Sequence, residues 1–169
     1  TDSGNYYISA GFDDQQGIVP TSSFKSGDMR INFNQDLNDK LILEARMSGY
    51  LSSTNFAESG DLLGGSNQSF IKQVISFRPI ITEEYEDFGE DLDISNPYSW
   101  INDFEDISKE SRYIGNLALT YKLPIQGLRY QVKIGGNIRT KERRRFFGTT
   151  TWQGNNANGS LQITGLNNS

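Results

Sequence analysis

Leu128-Arg129-Tyr130-Gln131-Val132-Lys133-Ile134-Gly135-Gly136-Asn137-Ile138-Arg139 is the stretch on which the fold is read. Leu128, Tyr130, Val132, Ile134, Gly136 and Ile138 fall on one side. Arg129, Gln131, Lys133, Gly135, Asn137 and Arg139 fall on the other. With glycine counted as neutral, apolar and polar residues separate without exception. Period two of this quality predicts a strand with one face in an apolar phase and one in water.

The pattern extends outward. Tyr113, Gly115, Leu117, Leu119, Tyr121 and Leu123 share a face, against Arg112, Ile114, Asn116, Ala118, Thr120 and Lys122. Pro124-Ile125-Gln126-Gly127 is turn-forming, so the two runs make a hairpin. A second hairpin pairs Met29, Ile31 and Phe33 with Leu41, Leu43, Ala45, Met47, Gly49 and Leu51, leaving Ile42 as a misfit. A first strand, about 5–13, places Tyr6, Ile8, Ala10 and Phe12 together.

Connections at 36–39 and 124–127 read as short, and those at about 14–25 and 53–111 as long and polar. Outer-membrane barrels alternate in this way, with tight periplasmic turns and long extracellular loops. Strands of roughly 10 residues at about 3.3 Å, tilted near 45°, rise about 23 Å, the height of a barrel's apolar band. Tyr113, Tyr121 and Tyr130 lie near the ends of the apolar faces, as interfacial girdles require. Any half-solvated antiparallel sheet also alternates, so a soluble β-sandwich or β-helix stays open on pattern alone.

Composition narrows the function. Of 169 residues, 35% are apolar and 12% aromatic, with 17 Gly, so short strands and polar loops fit better than an aliphatic core. Cysteine and histidine are absent, which removes Cys/His zinc sites, thiol nucleophiles and Ser-His-Asp triads. A net charge of −5 argues against nucleic acid, whose phosphates need a basic footprint. No run is apolar for long enough to make a transmembrane helix, which is uninformative for a barrel.

Several strings carry a family resemblance. Asn5-Tyr6-Tyr7-Ile8-Ser9 with Gly11-Phe12-Asp13-Asp14-Gln15-Gln16-Gly17-Ile18, Asn96-Pro97-Tyr98-Ser99-Trp100-Ile101-Asn102-Asp103, and Asp106-Ile107-Ser108-Lys109-Glu110 are three. The fourth is Leu128 through Arg145 with Phe146-Phe147-Gly148. In this order, and over nearly the whole chain, they resemble SusC/RagA-type TonB-dependent outer-membrane transporters. The resemblance implies an all-β, antiparallel transmembrane barrel segment, part of a barrel of about 22 strands closed by a plug. It further implies import of oligosaccharides or peptides, with a SusD-like surface lipoprotein and TonB as partners, outer-membrane lipid around it, and no cofactor. The plug and the TonB-contacting segment are expected to lie outside this stretch. A soluble or surface-anchored β-rich glycan-binding module is the alternative, and an enzyme has no recognisable acid/base motif behind it.

Candidate sites follow. Arg129, Lys133, Asn137 and Arg139 should face an enclosed interior and meet plug or substrate. Tyr98, Trp100 and Trp152, with Phe104, are placed near the extracellular side, where they stack on sugar or anchor loops. Arg143, Arg144 and Arg145, in the run from Lys141, are candidates for lipopolysaccharide phosphates or for a strand extension neutralised by acids nearby. Within the loop, 70–79 has helix-like spacing and would cover the barrel mouth or its own small core. The acids Glu83, Glu84, Glu86, Asp87, Glu90, Asp91 and Asp93 lack EF-hand spacing and read as a solvated run, with no metal site assigned.

Overall fold

A computed structural model describes residues 4–57, 74–75 and 101–168, apart from the side chains of Trp152 and Gln153. Six strands form one antiparallel sheet in sequence order: β1 (Gly4–Gln16), β2 (Ser23–Asn38), β3 (Leu41–Asn55), β4 (Phe104–Lys122), β5 (Arg129–Phe147) and β6 (Ser160–Asn168). A short helix, α1 (Trp152–Ala157), sits between β5 and β6. The sheet is open, with β1 and β6 as its edges.

The register aligns the predicted faces across the sheet. Tyr121 lies opposite Leu41 and Tyr130, Leu119 opposite Leu43 and Val132, and Leu117 opposite Ala45 and Ile134. Met47 faces Ile31 and Gly115, and Ile31 faces Ile8. Along β3 six rows stack from Leu41 to Leu51, the lower two apolar only toward β4 and β5 and the uppermost only toward β2 and β1. Ten steps of about 3.3 Å, tilted near 45°, make a band roughly 23 Å tall. The next row up, Asp14, Lys25, Ser53, Lys109 and Glu142, is charged and polar, and Lys25 Nζ meets Asp14 Oδ2 at 3.0 Å. The apolar phase ends at Phe12 and Leu51 on β1 to β3 and one row lower, below Ser111 and Thr140, on β4 and β5.

The strands outrun their predicted bounds at this upper end. The connections there are 17–22, 56–103 and 148–159; those at the lower end are 39–40 and 123–128. The first upper connection is therefore a tight turn rather than a long loop over 14–25. Gly17 N–H donates to Ser22 O at 2.9 Å and closes it. Residues 52–55 and 104–111 likewise belong to strands, not to the long connection. The reason is that β-pairing continues where both faces are largely polar in sequence, and alternation no longer marks it. At the lower end Leu128 N–H donates to Ile125 O at 3.1 Å, with Gly127 at φ 82° in the position a type II turn reserves for glycine.

Burial is sparse. Among the described apolar residues only Phe104 and Phe147 are buried, their rings 5.1 Å apart at the upper end. On the apolar band, Leu117 is 47% and Ile134 67% exposed, and no described element packs over them. Among the described residues no second layer makes a sandwich core with this sheet.

Candidate functional site

The opposite, polar face is where side chains interact. Arg112 and Arg139 lie directly opposite each other, a like-charge pairing that would be unfavourable if both pointed straight across. Each turns to a diagonal partner. Arg139 Nε and Nη2 donate to Glu110 at 2.8 and 3.2 Å, and Arg112 Nε donates to Asn137 Oδ1 at 3.2 Å. Arg143 Nε donates to Asp106 Oδ1 at 2.7 Å, and its Nη2 completes the fork to Oδ2. All three diagonals lean the same way along β5. Lower down, Gln131 Nε2 donates to Thr120 Oγ1 at 3.0 Å.

Asp106 is fully buried, and Arg143 stacks over Phe56 with its Cζ 4.9 Å from the ring centroid. Phe56 N–H donates to Asp106 O at 2.8 Å and Gly148 N–H to Asp103 O at 2.7 Å. The two ends of the connection 56–103 are thus fastened to the start of β4 and the end of β5. A Cβ on Gly148 would meet the Asp103 carboxylate, which would have to swing away from its present place. Buried Thr151 caps α1: its hydroxyl donates to Gly148 O at 2.7 Å and accepts from Gly154 N–H at 3.1 Å.

Asp103 Oδ2 accepts from Thr150 N–H at 2.9 Å and from its hydroxyl at 2.7 Å. The backbone bond, then the hydroxyl, hold this carboxyl below the usual carboxylate range. A depressed folded pKa contributes stability above the unfolded value, and that stability is lost as pH falls through the folded one. Asp103→Asn is therefore expected to flatten the acid limb of the unfolding profile below about pH 4. Urea midpoints measured against pH for both chains check this; parallel profiles would refute it.

The predicted site residues now have places. Arg129 stands opposite Lys122 at the lower end of the polar face, and Lys133 opposite Ala118. Asn137 and Arg139 share that face but are occupied by Arg112 and Glu110. Arg143 and Arg145 also lie on it, whereas Arg144 lies on the face of the apolar band, between Ile107 and Ile163. Trp152 opens α1. Tyr98, Trp100 and the acidic run at 83–93 lie outside the described residues, as does most of 70–79, of which Val74 and Ile75 are helical. Among the described residues no acidic cluster is arranged to hold a metal ion.

A further set was not anticipated. Arg30 and Asn32 on β2, Arg46 on β3 and Asn116 on β4 line a concavity of about 480 Å³ on the polar face. Asn5 and Asn34 complete its lower wall. Arg46 comes within 3.6 Å of Glu44, and Arg30 has no ion-pair partner among the described residues. The sequence did contain a signal: arginines and amides at alternate positions of neighbouring strands must share a face once the hairpin register is known.

Compared with known proteins, the chain matches no family model and no curated protein sequence.

Proposed function

We propose that this chain is a stretch of barrel wall from an outer-membrane active transporter, resembling the SusC/RagA type, that imports oligosaccharides or peptides. The observation that carries the reading is the uncovered apolar band, which crosses β1 to β5 at a slant: four rows deep on β1 and β2, six on β3 and five on β4 and β5, with a charged row above. Uncovered apolar area of this extent calls for lipid or a protein partner. The band's height of roughly 23 Å matches the hydrocarbon-facing belt of a barrel. Tyr121 and Tyr130, directly opposite each other, sit in its lowest row, and Tyr113 near its top, where a membrane interface places aromatic rings.

On this reading the polar face looks into a plugged interior, further strands of the same barrel pair with β1 and β6, and the long connection 56–103 lies outside the cell. A SusD-like lipoprotein would meet that outer side, and TonB would act through regions beyond this stretch. Lipopolysaccharide contact then falls to Arg144, the member of its run on the lipid side, with Lys25 and Lys109 in the row below. Arg143 and Arg145 point inward.

These 169 residues contain no cysteine, so a thiol introduced among them has no competitor within this stretch. Ile134→Cys and Lys133→Cys, each carrying an environment-sensitive dye, are expected to differ in lipid vesicles with brominated acyl chains. The label at 134 should be quenched several-fold and the one at 133 little. Equal quenching at both positions, or a chain soluble and monomeric without detergent, would defeat the proposal and favour a soluble binding module.

A further inference from the structure

We infer that the polar face carries a binding site for carboxylate-bearing oligomers, centred on Arg30 and Arg46. This deepens the import reading, and rests on it for which side of the sheet is enclosed.

Charge is sorted between the faces. The whole chain has a net charge of −5, yet the polar face of the six strands carries ten Lys and Arg against six Asp and Glu. On the apolar side three cations meet three acids, all above or at the rim of the band. A wall that only met water would have no reason to collect cations in an acidic chain.

Use of the arginines differs along this face. Arg112, Arg139 and Arg143 are each held by a diagonal neighbour, which fixes β4 to β5. Arg30 and Arg46 are not used in this way. They are diagonal neighbours, because Arg30 lies opposite Ser48 and Arg46 opposite Asn32. Arg46 approaches Glu44 only at 3.6 Å, with its own side chain 69% exposed, and such a surface pair contributes little. Two guanidinium forks therefore open onto one concavity. A guanidinium matches a carboxylate with two parallel hydrogen bonds.

The rest of the lining specifies the ligand. Asn32 and Asn116 flank Arg46 on either side and offer both donors and acceptors, suited to hydroxyls or peptide groups beside the acid. Beyond the lining itself, Tyr7 lies opposite Asn32 on the neighbouring strand and is 54% exposed, a ring beside the concavity on which a ligand could stack. Glu44 leaves an excess of about one positive charge, which suits a monoanionic carboxylate better than a dianionic phosphate.

The test uses the complete polypeptide that carries this chain, folded in detergent micelles, and three fluorescent trimers: galacturonate, glutamate and neutral maltotriose. An acidic trimer is expected to bind at least about tenfold more tightly than the neutral one at low salt. The tighter of the two acids reports whether the backbone read is sugar or peptide. Arg30→Gln with Arg46→Gln, both exposed, should weaken that binding roughly 10- to 100-fold. Lys40→Gln, in the lower turn at 39–40, should leave it unchanged. Neutral and acidic trimers binding alike, or undiminished binding in the double variant, would overturn the inference. Lipid quenching at position 134 with no acid preference removes this site and leaves import standing. Acid preference in a detergent-independent polypeptide keeps the site and removes import.

Discussion

Ile134→Arg is expected to destabilise the membrane-folded state by about 2–4 kcal/mol, the cost of a cation near the middle of a barrel's lipid face. Ile134 occupies the third of six apolar rows, opposite Leu117 and in line with Ala45, so about half the band lies on either side of it. A long side chain at that depth cannot bring its charge to either rim without disturbing the lipid. Lys133→Ala, one residue away on the polar face, is expected to change stability by less than about 0.5 kcal/mol. The contrast in magnitude makes the comparison decisive. Were the sheet soluble, position 134 would be an ordinary exposed site, and arginine there would be neutral or improve solubility. Urea titration of the polypeptide folded into phospholipid vesicles measures both variants. A neutral Ile134→Arg would mean that lipid does not cover the band.

What the sequence disclosed and what it hid divide along this same band. Within it, alternation assigned Leu117, Leu119, Val132 and Ile134 to one face, and the structure places all four there. The lower connections were also readable, because Pro124 and Gly127 mark a turn. Above the band the signal failed for a physical reason. Asp13 to Gln16 and Glu105 to Glu110 are largely polar on both faces, the buried Asp106 and Ser108 included, so their pairing leaves no trace in polarity, and stretches of strand read as loop. The polar-face partners were harder still. Asp106 and Arg143 are 37 positions apart, and only the β4–β5 register brings them together. One hint existed, an acid-bearing segment before one strand and the run Lys141 to Arg145 ending the next. Arg30 and Arg46 gave less, since a lone arginine in a strand looks the same whether it will pair or remain open to a ligand.

The upper clasp gives the second large effect. Asp106→Ala is expected to destabilise the chain by about 3–5 kcal/mol, because Arg143 would keep its charge in a site built around a carboxylate. Asp106 is fully buried and Arg143 largely so, and both prongs of the fork are formed. Arg143 cannot respond by losing its proton. It must swing into water and abandon the Phe56 ring, or remain unpaired. Two residues along β4 from Asp106 lies the Phe104–Phe147 contact, the one buried aromatic pair among the described residues. Replacing both partners by apolar residues of similar size, Asp106→Leu with Arg143→Met, should recover most of the loss, since no charge is then left behind. Denaturant midpoints of the single and double variants form the test. A double variant as unstable as Asp106→Ala would show that the pair contributes through specific geometry at the base of the 56–103 connection rather than through charge balance.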